Sequence, residues 1–213
     1  MKTFPGIIAV LAFMLAAPSL AAAQNAKSTK GTDVISRDRV LRDPEIPATG
    51  NPDGDITVVE FFDYQCPYCK TLHPYFKKAV EEDGKVRVIS KSWPIFGDVS
   101  RYAARLVLAT KYQGKYAEAH EAVITATTPL NEARVQELLA KAGIDVKRAQ
   151  DDLQKNAKTI DATIARTSEQ ADVIGFRGTP SFIFNTFRFS GMLDTDGFKA
   201  AFADARKAAK ATK

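Results

Sequence analysis

The run Thr57–Lys70 (TVVEFFDYQCPYCK) constrains this chain more than any other stretch. Val58, Val59, Phe61 and Phe62 form a β-branched and aromatic segment of strand length, too short for a helix. A turn follows, then Cys66, with Pro67 where proline suits the first position of a helix. Cys69 completes a Cys-x-x-Cys pair, and these are the two cysteines among 213 residues. Strand, turn and cysteine-led helix predict a sheet-based fold whose chemistry sits at Cys66. The unpaired N–H groups and dipole of a helix N-terminus favour a thiolate there.

The chain's beginning sets the compartment. Lys2, the apolar stretch Gly6–Ala17, Pro18 and the small residues Ala21–Ala23 read as a signal peptide, with cleavage after about Ala23. That stretch is too short to span a bilayer, which takes roughly 20 apolar residues. Removing residues 1–23 deletes one charged residue, Lys2, so the formal charge falls from +5 to +4. The charge is mild and spread out, with no strip rich in arginine and aromatics, so nucleic acid is not an expected partner. In an oxidising compartment the two cysteines can pair, yet so small a loop stabilises a domain little. Chemistry explains the pair better than stapling does.

Gln24–Arg39 is polar and without apolar periodicity, which predicts a flexible lead-in. Val40–Asp55, with its prolines and NPDG, predicts an extended approach ending in a turn, Leu41 and Ile46 packing on the domain edge. Ile56–Phe62 is the first core strand. A helix should run from Cys66 to about Asp83, burying Leu72, Phe76, Ala79 and Val80, kinked or interrupted at Pro74 and stopped by Gly84. Lys85–Ser90 alternates as a second strand, with Val86, Val88 and Ser90 pointing one way. Arg101–Lys111, Tyr116–Thr125, Glu132–Ala142 and Val146–Ile174 predict a helical block without internal repeat, Asn131 capping one helix. Pro180–Phe184 and Thr186–Phe189 flank Asn185 as a tight hairpin, and Asp196–Lys210 closes as a helix docking Phe198 and Phe202. Trp93, Phe182, Phe184, Phe187 and Phe189 are expected in the core. The fold class is α/β: a thioredoxin-like central sheet flanked by helices, with an inserted all-helical subdomain. The expected division places that domain at 40–97 and 175–213, and the insertion at 98–174.

The segments EFFDYQCPYCK, KSWPIFG and GTPSFIF, in this order, resemble the DsbA-type periplasmic thiol–disulfide oxidoreductases over roughly Val40 to Phe202. Exchange needs a thiolate, a reachable sulfur and a resolving thiol nearby. Cys66 is accordingly expected as the exposed nucleophile and Cys69, one helical turn on, as the buried resolving thiol, the two forming a redox-active disulfide. Pro67 and Tyr68 lie between them and should tune the potential. The resemblance implies a cis Pro180 against the pair, with Thr179 before it offering backbone groups to a substrate peptide. It also implies a buried acid, Glu60, able to shuttle the Cys69 proton, and Lys91 as the lysine that pairs with it. The alternative for these two is a salt bridge without catalytic weight.

The function this implies is disulfide introduction into cysteine-containing exported proteins in the periplasm, with recharging by a membrane partner of DsbB type. Thr179 stands where DsbA itself has valine and where family isomerases or reductases often carry threonine, so a reductase or isomerase served by a DsbD-type partner is the alternative. The lead-in is too short and polar for the extra oligomerising domain isomerases usually carry, and a monomer is expected. A second class of reading is a two-thiolate Cu(I)-binding protein, although no Met-rich or His-rich tract supports it. No cofactor and no metal are expected. His73 follows Cys69 by four, but a structural zinc wants four ligands and the other histidine, His120, is placed on a distant helix. A c-type haem would need histidine where Lys70 stands.

Overall fold

The computed structural model describes residues 34–211, so the expected signal peptide and residues 24–33 of the lead-in lie outside the described residues. The described chain opens with a short helix α1 (Arg37–Leu41) and a two-residue strand β1 (Thr49–Gly50). The strand β2 (Ile56–Phe62) leads into α2 (Pro67–Asp83), and β3 (Val86–Ser92) follows. Five helices come next: α3 (Asp98–Ala109, continued by a 3-10 turn over Thr110–Gln113), α4 (Tyr116–Ile124), α5 (Glu132–Lys141), α6 (Val146–Lys155) and α7 (Ala157–Ile174). A hairpin of β4 (Ser181–Phe184) and β5 (Phe187–Ser190), then α8 (Thr195–Ala211), complete the order.

The sheet has five strands in the order β1-β3-β2-β4-β5, with β2 at its centre and buried on both faces throughout. β2 and β3 run parallel, Val58 beside Val88 and Phe61 beside Lys91, and α2 makes the crossover that parallel strands require. β4 pairs antiparallel with the other edge of β2, Val59 facing Ile183. Because side chains alternate along a strand, the two faces build two cores. On one, Val58, Val86, Val88, Phe182 and Phe184 pack against Leu72, Phe76 and Ala79 of α2 and Phe198 and Phe202 of α8. Phe76 and Phe198 meet with ring centroids 4.9 Å apart. On the other, Val59, Phe61 and Ile89 continue without a break into the interior of the helices between β3 and β4. Each fully buried side chain of this kind contributes roughly 1.5–3 kcal/mol, so the helices and the sheet stabilise one another.

Four local expectations change. The approach to the sheet is helical at Arg37–Leu41 rather than loose or extended, because one helical turn drops Val40 and Leu41 side by side into the core. The expected helix Val146–Ile174 is two helices, broken at Asn156. There the backbone leaves helical geometry (φ −112°, ψ 17°) and the side-chain amide donates to the Asp152 carbonyl, the competition with the main chain that asparagine favours. Of the kink or interruption expected at Pro74, the interruption does not occur: α2 runs through as one element, and it stops at Gly84 as expected, with a left-handed φ of 68°. β3 extends two residues further than its alternation suggested, to Lys91 and Ser92.

Candidate active site

The turn after β2 is held by a carboxylate that the sequence reading passed over. Asp63 is buried, and its Oδ1 accepts from the Gln65 N–H (2.7 Å) and the Ser100 hydroxyl (2.6 Å). Its Oδ2 accepts from the N–H groups of Ile95 (2.7 Å) and Phe96 (3.0 Å). The first of these bonds closes the turn on itself, and the other three tie it to the loop entering α3 and to the first turn of that helix. Aspartate two residues before the N–H it binds is a recognisable turn signal, and it was the available clue. The Asp63 carbonyl in turn accepts from the Cys66 N–H at 3.1 Å, setting Cys66 as the residue that caps α2, with Pro67 next. Helix N-terminus and cysteine are therefore placed together by the strand before them.

The loop before β4 closes the site from the other side. The Thr179–Pro180 peptide is cis, and the Cys66 thiol donates to the Thr179 carbonyl at 3.3 Å. Both cysteines are free thiols and both are buried. Cys66 was expected exposed; it is 1% exposed, because the Thr179–Pro180 loop lies over it. Its cover is thin compared with the packing around Cys69. Beside it runs an open groove of about 420 Å³ lined by Tyr68, Gly178, Thr179, Pro180 and Met192. Tyr68 is 64% exposed at its rim.

The two thiols ionise in opposite senses. A hydrogen bond from the Cys69 thiol is the main influence on Cys66; burial pushes the other way, and the Thr179 side chain and the Cys69 and Tyr68 backbone add to the pull, leaving its pKa at about 6. The Thr179 hydroxyl oxygen is buried, with no other hydrogen-bond partner among the described residues. Cys69 is pushed far up, first by donating to Cys66, then by burial and by the Glu60 carboxyl.

Glu60 is buried near the end of β2, and burial, then the Cys66 thiolate, raise its pKa to about 8. Lys91 does not pair with it. In the β2–β3 register Glu60 stands beside Ser90 while Lys91 stands beside Phe61, so the two side chains leave opposite faces of the sheet. Lys91 instead lies 3.2 Å from Asp43, which Arg166 also holds through two hydrogen bonds. The elevated carboxyl has a consequence for stability. The folded state keeps a proton on Glu60 that the unfolded chain releases above pH 4.5, so stability should fall as pH rises from about 4.5 to about 8. Glu60→Gln removes that slope. Urea unfolding of the two reduced proteins should change in the variant's favour by on the order of 3 kcal/mol between pH 4.5 and 7. Parallel pH profiles for the two proteins would rule out a raised Glu60 pKa.

The histidines, expected far apart, meet. α4 packs across α2 and brings the His73 and His120 rings to 5.7 Å. His120 Nδ1 lies 3.0 Å from the Tyr64 hydroxyl, and burial lowers its pKa to about 3, so it stays neutral. His73 Nε2 lies 3.0 Å from Glu121 Oε2, and Lys77 holds the other oxygen at 2.9 Å. Among the described residues no three or more His, Cys, Asp or Glu side chains are arranged to hold a metal ion.

A family model described as Thioredoxin matches residues 43–204. Among solved structures, a thioredoxin-like oxidoreductase from Silicibacter pomeroyi is 38% identical, with a TM-score of 0.77, over 81% of this chain and 98% of that one. The thiol-disulfide exchange protein alpha-DsbA2 from Wolbachia pipientis is 26% identical, with a TM-score of 0.74, over 84% of this chain and 97% of that one. A curated relative, the Na(+)/H(+) antiporter NhaA 3 of Salinispora tropica, is 29% identical over 205 residues, 92% of this chain but 31% of the antiporter. The chain thus spans about a third of the length of that relative.

Proposed function

The chain belongs to the thioredoxin family, and from that premise we propose that it exchanges disulfides with cysteine-containing proteins through Cys66 and Cys69. The observation that carries this reading is a pair of free thiols one helical turn apart at the N-terminus of α2, Cys66 capping the helix and donating to the carbonyl of the cis Thr179–Pro180 peptide. The same surroundings hold Cys66 down to about 6 and push Cys69 up. In the oxidised enzyme a substrate thiolate attacks Cys66 Sγ and breaks the Cys66–Cys69 bond, and Cys69 leaves as a thiolate that takes up a proton from Glu60. A second substrate thiolate then attacks the substrate sulfur of the mixed disulfide, and Cys66 leaves as a thiolate. Two electrons pass from the substrate dithiol to the enzyme. A low leaving-group pKa at Cys66 speeds that release and favours the dithiol form, which makes the disulfide an oxidant. The groove along Tyr68, Thr179 and Pro180 receives the substrate peptide, with Pro67 and Tyr68 tuning the potential.

Disulfide introduction is therefore the preferred direction, in the periplasm, by a monomer recharged by a membrane partner of DsbB type. The domain division proposed is 40–97 with 175–213 around a helical insertion at 98–174. The direction is tested by equilibrating the pair with glutathione while following Cys66 ionisation by thiolate absorbance. The expected result is a potential well above the roughly −270 mV of thioredoxin, with Cys66 titrating near pH 6. A potential close to thioredoxin's, with Cys66 titrating near neutrality, reassigns the protein as a reductase or isomerase. Thiols that never equilibrate but bind copper in the reduced state end the enzyme reading.

A further inference from the structure

On the reading above, Glu60 gives up and regains a proton in every cycle, so a carboxyl sealed inside the protein needs a route to solvent. A pocket of about 180 Å³, partly open to solvent, lies between α2, α4 and the sheet face that carries Glu60, and His73, Lys77, Glu81, His120 and Glu121 also line it. Two of its buried polar atoms, Glu60 Oε1 and His73 Nδ1, have no hydrogen-bond partner among the described residues. Buried polar groups are seldom left unmatched, and where a polar cavity has room, water bridges them. One water needs on the order of 10–15 Å³ of such space, so this cavity admits several. The far nitrogen of the same imidazole, Nε2, is 3.0 Å from Glu121 Oε2, and Glu121 is 40% exposed.

We propose that His73 and Glu121 form the proton route between Glu60 and solvent, His73 exchanging with Glu60 through water at Nδ1 and with Glu121 at Nε2. The imidazole is the side chain built for this, since it takes a proton on one nitrogen while releasing one from the other. When Cys69 leaves as a thiolate, Glu60 protonates it and becomes a carboxylate. A proton then passes from solvent through Glu121, His73 and water to restore the carboxyl. When Cys69 must be deprotonated to attack, the same proton travels outward, so each direction balances with no further reactant. His120 serves as wall rather than carrier: its Nδ1 is taken by Tyr64 and burial keeps it neutral. The charged and titratable groups around the route are Cys66 and Cys69 beside Glu60, with Tyr64 and Tyr116 nearby, and Lys77, Glu81, His120 and Glu121 on the His73 side of the pocket. His73 acts through Glu60 and touches no reacting sulfur, so it is a relay residue.

The test is single-turnover reduction of the disulfide form by excess small thiol, in H₂O and D₂O, for the wild type, His73→Phe and Glu121→Gln. His73→Phe should slow the turnover about tenfold or more and enlarge the solvent isotope effect. Glu121→Gln, at a partly exposed position, should give a smaller slowing of the same kind and guards against a misfolded His73→Phe. The glutathione equilibrium constant should stay put in both, since a route changes rates and not end states. Unchanged rates and isotope effects in both variants overturn the route, as does a slowing with an unchanged isotope effect. If Glu60→Gln leaves rate and isotope effect as in the wild type, the proton step is not at Glu60 and the route falls with it, while exchange by the wild type keeps the proposed function standing.

Discussion

Replacing Cys66 by serine should abolish disulfide exchange, lowering substrate peptide oxidation by at least about a thousandfold, to the uncatalysed background. A hydroxyl neither ionises near neutral pH nor forms the mixed disulfide, so nothing else at the site substitutes for the lost sulfur. Cys69→Ser should behave differently. It keeps the low-pKa nucleophile but removes the group that resolves the intermediate, so the enzyme should accumulate covalently on substrates carrying a disulfide. In Cys69→Ala, where no hydroxyl takes the place of the thiol donor, Cys66 should lose its main stabilising partner and titrate higher than about 6, because the hydrogen bond from Cys69 is the largest influence on it. Mass spectrometry of non-reduced mixtures and thiolate absorbance read both effects. Residual turnover by Cys66→Ser, or an unshifted Cys66 in Cys69→Ala, would remove the assignment of roles to the pair.

Asp43→Ala should cost about 3–5 kcal/mol of folding stability, the usual penalty for stripping the partner from a buried charge. Asp43 and Lys91 have side chains 1% and 0% exposed and stand 3.2 Å apart. Arg166 binds the same carboxylate with bonds of 3.0 and 2.9 Å, and the Glu45 N–H adds a fourth contact. Burial works to raise the Asp43 pKa, but the two cations and these bonds outweigh it and leave it lowered. Burial depresses Lys91 to about 8 even with Asp43 beside it, so the lysine is still charged at pH 7 and depends on that partner. Without the carboxylate, Lys91 and Arg166 face each other with no acid between them, Lys91 keeping its 3.4 Å bond to the Arg39 carbonyl. Asp43→Ala combined with Lys91→Met should recover part of the loss, because an apolar replacement of both partners avoids the stranded charge. A single-variant loss under about 1 kcal/mol in urea, or strictly additive effects in the double variant, would show the cluster to be idle.

How much of this was legible beforehand follows from which signals are local. The strand–turn–cysteine–helix sequence of Thr57–Lys70 carries its own periodicity and punctuation, and it folds as read, down to Gly84 ending α2. The pairing of Lys91 was misread, although the clue was present. With Val86, Val88 and Ser90 on one face, Lys91 had to leave on the other, and a resemblance across a family carried less weight than that alternation. Asp43 gave no signal, since its partners Lys91 and Arg166 are 48 and 123 residues away. The meeting of His73 with His120 was equally hidden, because the packing of α4 on α2 is a tertiary fact. Proton-handling groups and buried ion clusters are assembled from distant residues, and spacing along the chain does not encode them.

The thiol and the carbonyl that covers it are separated by 113 residues of chain. Contacts of such long range form late, because the loop between them must be ordered first. During synthesis the cysteine pair is complete long before Thr179 exists, and the helices that fill the interval share their core with the same sheet. For that interval the nascent protein carries a reactive sulfur without its lid and without the Thr179 contact. A fragment ending before β4 should therefore expose Cys66 to modifying reagents that the finished chain, with Thr179 over the sulfur, admits more slowly.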